Sequence, residues 1–205
     1  ADSTKGWIPT SDIANALEPT PPPPQRALIA FGYDTTSDGA ISISNLVNSS
    51  GAMATDVTGV GTARYMVSGA GYGGDKAIMA YGRNSSGAYV SLSNLINNSG
   101  VVASDVTGVG TAAGRKGSAT YGYTKAIFAF GTSGKTNLVS SSGVVATDVT
   151  LVGTNRTYIS AATYGSDKVI FAFGTTGSVT NISNLVDNLG VVGSDVSGVG
   201  TSRST

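Results

Sequence analysis

Lys125-Ala-Ile-Phe-Ala-Phe-Gly131 is a short apolar run with a cation in front and a glycine behind, and the chain repeats it three times. The other copies are Arg26-Ala-Leu-Ile-Ala-Phe-Gly32, Lys76-Ala-Ile-Met-Ala-Tyr-Gly82 and Lys168-Val-Ile-Phe-Ala-Phe-Gly174. Runs this short, rich in Ile and Phe and closed by Gly, read as buried β-strands. Working outward, an Asn-Leu segment follows each copy at Asn45, Asn94, Asn137 and Asn184. A Val-rich stretch then ends near Thr-Gly-Val-Gly-Thr, with Asp56, Asp105, Asp148 and Asp195 as its markers.

The spacing between these markers carries the fold. Asn and Asp lie 11 residues apart in every copy, as in Asn45 to Asp56, and each of the first three Asp markers lies 26 residues before the next strand-ending Gly, as in Asp56 to Gly82. From Gly to Asn, by contrast, the interval runs 13, 12, 6 and 10. Length varies in one segment per repeat, and an exposed loop absorbs insertions that would flip every side chain of a paired strand. The period of 50, 49 and then 43 residues lies near that of a four-stranded propeller blade.

Composition agrees with strands joined by tight turns. There are 29 Gly in 205 residues, Glu occurs only at Glu18, and β-branched residues are plentiful. Twelve cations balance twelve acids, so net charge gives no pull toward nucleic acid or an anionic membrane. The chain has neither Cys nor His, which removes disulfides, thiolate nucleophiles, most zinc sites and the usual general base. No run approaches the length of a membrane-spanning helix. The sequence thus reads as non-enzymatic, with no cofactor and no metal.

Phosphate chemistry is also unsupported. Gly131-Thr-Ser-Gly-Lys-Thr136 ends like a phosphate-binding loop, but Ala129 stands where the first Gly belongs and a strand, not a helix, is expected next. The recurring Lys76, Lys125 and Lys168 read as solvated strand starts, and each lone Asp marker reads as an acceptor for nearby backbone N–H groups in a turn.

Tyr72-Gly-Gly-Asp-Lys-Ala-Ile-Met-Ala-Tyr-Gly82, Gly100-Val-Val-Ala-Ser-Asp-Val-Thr-Gly-Val-Gly-Thr111 and the Arg at 64, 156 and 203 resemble kelch-type repeats, and more closely the kelch-like units of bacteriophage virion and fibre proteins. The likeness spans about residues 26–205. It departs from kelch blades in having Val where these carry Trp. The resemblance implies an all-β chain of four propeller-type repeats of short antiparallel strands, at 26–75, 76–124, 125–167 and 168–205, the last incomplete. It implies a phage virion structural protein, a fibre or decoration component at the virion surface that attaches to a host glycan or protein. A secreted or cell-surface glycan-binding propeller is the alternative.

Residues 1–25 stand outside the repeat and end in Pro21 to Pro24, which reads as a leader on a stiff stalk. Trp7, Ile8, Ile13 and Leu17 are its candidate docking residues toward other virion proteins. The variable loops, running Tyr33 to Ser44, Arg83 to Ser93, Thr132 to Thr136 and Thr175 to Ser183, are expected on one rim. There Tyr33, Arg83 and Tyr89 are the leading partner contacts, since aromatic and Arg side chains supply most hot-spot energy. Asp34, Asp38, Asn84 and Lys135 accompany them in these loops. The incomplete last unit predicts an uncovered strand edge, and hence a homo-oligomer, with a neighbouring protein or missing C-terminal residues as the alternatives.

Overall fold

The computed structural model describes residues 26–204; the leader, with Trp7, Ile8, Ile13 and Leu17, lies outside the described residues. The described chain is all-β, arranged as several small antiparallel sheets, with one short 3-10 turn at Gly131–Ser133. Strands β1 (Ala27–Asp34) and β2 (Gly39–Val47) form the first hairpin. A two-residue pair, β3 (Arg64–Tyr65) with β6 (Arg83–Asn84), brackets the second sheet of β4 (Ser68–Tyr72), β5 (Lys76–Ala80) and β7 (Ser93–Ile96). The third comprises β8 (Gly117–Tyr121), β9 (Lys125–Ala129), β10 (Lys135–Val139) and β11 (Val149–Thr150). The fourth is β12 (Ser160–Tyr164), β13 (Lys168–Ala172) and β14 (Ser183–Val186).

The recurring apolar phrase is the middle strand of these last three sheets, which is why it is apolar on both faces. Ile78, Ile127, Phe128, Val169 and Phe171 are fully buried in it. Read along the sequence, the unit from Lys76 offers strands at Ala77 to Tyr81, Leu92 to Ile96 and Val101 to Val106 and a last one toward Tyr121-Gly122, and two of these are revised. The strand ending at Tyr121 pairs with Lys125–Ala129, which follows it, and so opens a sheet instead of closing the one before. The Val101 to Val106 strand reduces to two bridges, Ile96 to Val102 and Ser93 to Val106, because the chain leaves the edge after each contact. The first variable loop is likewise mostly β-hairpin, its ladder resuming after a bulge at Phe31.

The opening strands β4, β8 and β12 lie side by side. Their residues are small because the backbones approach closely, and side chains of one strand bond to carbonyls of its neighbour. Ser118 Oγ donates to Gly69 O at 2.7 Å, Thr120 Oγ1 to Gly71 O at 2.9 Å and Thr163 Oγ1 to Thr120 O at 2.7 Å. The cores therefore sit between successive sheets. One joins Tyr72, Ile78 and Tyr81 to Phe128 and Val139; the next joins Tyr121, Ile127 and Phe130 to Val169, Phe171 and Val186. Each buried Phe or Ile there contributes about 1.5–3 kcal/mol.

Candidate functional site

A polar clasp fastens each sheet to the next. In all four units Asn Nδ2 donates to the Asp eleven residues on, at 2.7 Å in Asn45 to Asp56 and 2.9 Å in the three later pairs. The Asp carboxylates of the later units also accept from a Thr of the preceding one: Thr62 on Asp105, Thr111 on Asp148 and Thr154 on Asp195, each through backbone N–H and Oγ1. The Asp markers thus join units, where a local turn was expected. Arg64 completes one clasp, stacking over Phe31 at 4.6 Å and donating to Asn94 Oδ1, while Arg156 stacks over Phe130 at 4.7 Å and donates to Asn184 Oδ1 at 2.8 Å. Burial alone would raise the Asp105 carboxyl, but Thr62, Asn94 and the Arg64 charge together hold it below its ordinary range; Asp195 is lowered in the same way.

The middle clasp is different. Ala113 stands where its neighbours have Arg, and Lys116, at the position of Val67 and Ile159, supplies the cation instead. Its Nζ lies 4.9 Å from the Tyr81 ring centroid and donates to Lys135 O at 2.7 Å, Ser133 Oγ at 3.3 Å and Phe130 O at 3.4 Å. Burial lowers its pKa to about 8, with Asp148 pulling the other way. Asn137 Oδ1, which receives Arg in the sister clasps, is left buried without a donor.

The clasp sets the end of the sheets from which the variable loops emerge, and the residues just after each Arg position are carried onto that end. Tyr65 meets Tyr33 edge to face at 5.1 Å. Arg83 lies 6.0 Å from the Tyr65 ring and 5.8 Å from Tyr89. Gly114 fits under Tyr89 and Met66, where a Cβ would crowd both. Beyond it Arg115 stacks on Tyr158 at 4.4 Å, beside a depression of about 240 Å³ lined by Met66, Ser68, Lys116 and Ile159. Met66, Arg115 and Tyr158 occupy equivalent positions, all with φ between 52° and 57°, a strained conformation for bulky side chains. A larger cleft of about 380 Å³ lies at the other end of the strands, among the turns at 74–76 and 97–100; its charged pair, Asp75 and Lys76, is already mutually satisfied at 2.7 Å.

Of the residues expected on the rim, Tyr33, Arg83 and Tyr89 come together through Tyr65. Asp38 accepts the Tyr33 hydroxyl, a bond that raises the Tyr33 pKa. Asp34 holds the hairpin tip through Thr36 N and Ser37, and Asn84 holds its own turn through Ser86 and Ala88. Lys135 stands on β10, its carbonyl engaged by Lys116. Tyr65, Met66, Arg115 and Tyr158 were missed. The available signal was substitution at a fixed distance from the Arg position: Tyr65 becomes Gly114 and Thr157, and Met66 becomes Arg115 and Tyr158.

No protein-family model matches the chain, and no curated protein matches it either. Among solved structures, the one titled "Structure of YjhT" is similar in fold, with a TM-score of 0.57 at 12% identity over 71% of this chain. The match takes in 49% of that protein, so the chain spans about half its length.

Proposed function

We propose that this chain is a non-enzymatic recognition protein whose units are consecutive blades of a β-propeller, displayed at a virion surface and meeting its target with the loop-bearing face. The observation that carries the binding role is the collection of Tyr33, Tyr65, Arg83, Tyr89, Arg115 and Tyr158 at one end of the sheets. Aromatic rings flanked by guanidinium groups offer flat apolar area and directional donors, the chemistry that grips a sugar ring or a peptide. The identities differ from unit to unit while the scaffold repeats, as expected of one composite site. The propeller arrangement is supported by the side-by-side opening strands and by cores lying between sheets. The virion setting rests on the likeness of the repeats to phage kelch-like units.

The test is binding of the full chain to host cells and to a glycan array. Arg83→Ala, Tyr65→Ala and Arg115→Ala should each weaken binding about tenfold or more, while Lys76→Ala at the far end should leave it unchanged. Equal binding by all four variants would place the contact surface elsewhere.

A further inference from the structure

Met66, Arg115 and Tyr158 each stand two residues before an opening strand, β4, β8 or β12. Because those strands lie side by side, the three residues gather around the depression of about 240 Å³ at the loop end. Its walls are apolar at Met66, Val67 and Ile159, and no carboxylate lines it. The neighbouring polar groups are engaged within the fold. Ser68 Oγ donates to Lys116 O at 2.7 Å, Met66 O accepts the Arg115 N–H at 3.2 Å, and Lys116 Nζ is turned to Phe130, Ser133 and Lys135. Thr132 pins Gly114, taking its N–H on Oγ1 at 3.1 Å and giving its own N–H to the Gly114 carbonyl at 3.1 Å. The backbone that carries Arg115 is therefore fixed on both sides.

The Arg115 side chain is the exception. The chain has six arginines, and the other five each give a guanidinium N–H to a protein acceptor: Arg26 to Ser99 O, Arg64 to Asn94 Oδ1, Arg83 to Gly87 O, Arg156 to Asn184 Oδ1 and Arg203 to Thr201 O. The Arg115 guanidinium gives none to any described residue and belongs to none of the ion pairs among them. Its Nε is buried without an acceptor, and stacking on Tyr158 at 4.4 Å holds the group in place. A preset fork with no acid beside it, in a depression to which Lys116 adds a second cation, complements an anion supplied from outside.

We infer that this depression receives a carboxylate-bearing residue of an acidic polysaccharide, an assignment that rests on the recognition role proposed for the loop face. Arg115 takes the two carboxylate oxygens on its planar fork, and the ring of the same sugar lies against Tyr158 and the apolar walls. The depression is smaller than a pocket that buries a whole drug-sized molecule, so it holds one residue of the polymer. The neighbouring residues continue along Tyr89, Arg83 and Tyr65, which extend the face past Gly114. A sugar suits the site better than an acidic peptide. A peptide backbone needs main-chain partners, and the carbonyls of Met66, Gly114 and Lys116 are already taken.

The experiment is calorimetric titration of the full chain, as wild type, Arg115→Met and Arg115→Lys, with four probes: oligogalacturonate, neutral oligogalactose, dextran sulfate and oligoglutamate. Met66 holds the equivalent position at the same φ of 57°, so Arg115→Met should keep the wild-type circular dichroism and unfolding midpoint. The wild type should bind oligogalacturonate, more weakly as salt rises, and neutral oligogalactose about tenfold or more weakly. Arg115→Met should lose about tenfold or more of the oligogalacturonate affinity, and Arg115→Lys should recover only part of it. The Arg115 Nε–Hε resonance should shift during the titration, which a purely structural arginine would not do. Tighter binding of dextran sulfate overturns the carboxylate, and tighter binding of oligoglutamate overturns the sugar. Equal affinity for the acidic and neutral sugars, or unchanged binding by Arg115→Met, overturns the inference while leaving the recognition role in place. Binding of no probe overturns it as well, and the recognition role falls with it only if binding to host cells is also absent.

Discussion

Arg156 Nη2 donates to Asn184 Oδ1 across 2.8 Å, linking the segment before β12 to β14, 28 positions on. The guanidinium is fully buried, with Nε on Phe173 O and Nη1 on Thr154 O, so it serves as a tie that no water screens. Arg156→Ala should cost about 3–5 kcal/mol in urea unfolding, because it strands Asn184 and Asp195 without their cation. Arg156→Lys should recover only part, since an ammonium cannot span these three acceptors in the geometry of the planar fork.

At the middle clasp the repeat can be restored. Ala113→Arg with Lys116→Val should unfold at or above the wild-type temperature, because the new guanidinium reaches the orphaned Asn137 Oδ1 over the Tyr81 ring. Ala113→Arg alone should be less stable than the wild type, since it places two cations in one buried site. Thermal unfolding of the three proteins decides the matter; a double variant weaker than the single one would refute the equivalence of Lys116 and Arg.

Lys116 also makes stability depend on alkaline pH. Its folded pKa of about 8 lies below the ordinary 10.5, so the unfolded chain holds more protons between those values. Stability should rise with pH across that window, by about 3 kcal/mol in all, and be flat in this respect below it. Denaturant titrations at both ends of the window should show the rise in the wild type and its loss in Lys116→Met.

The carboxylates act in the opposite range. Asp105, Asp148 and Asp195 sit below the ordinary 3.8, so their contribution is fully present above that value and disappears as pH falls through the folded one. Acid unfolding should therefore begin below about pH 4, and Asp105→Asn should make the transition shallower.

The two glycines Gly153 and Gly200 should part company. Gly153→Ala drives a methyl into Asp195 and should sharply lower the unfolding midpoint, whereas Gly200→Ala meets no atom of the described residues within 4 Å and should cost roughly 1–2 kcal/mol, from its φ of +90° alone. Equal losses in thermal unfolding would contradict the clasp geometry.

Strand positions were legible because Ile78, Ile127 and Phe171 lie in short apolar runs with glycine behind them, a pattern set by local pairing. The constant interval from Asn94 to Asp105 was legible too, and it is the separation at which the two side chains meet. Its purpose was hidden: the third partner, Thr62, lies 43 residues away, so a reading along the chain assigned the acid to its own turn. The loop face was half legible for a related reason. Tyr33, Arg83 and Tyr89 fall in segments of changing length, but Tyr65 and Tyr158 change identity at constant length, and only the fold brings them to the same end. Lys116 was invisible as a substitute for Arg because it enters three positions later, from a strand start and not from the loop.

The one-way order of the clasp has a meaning in time. A ribosome adding roughly ten residues each second delivers Arg64 about four seconds before Asp105, 41 residues behind it. During that interval the nascent unit carries a bare guanidinium over Phe31 with nothing to receive it. Each new segment that leaves the tunnel settles the one before it, so the protein matures from its first-made end, one step behind its own synthesis.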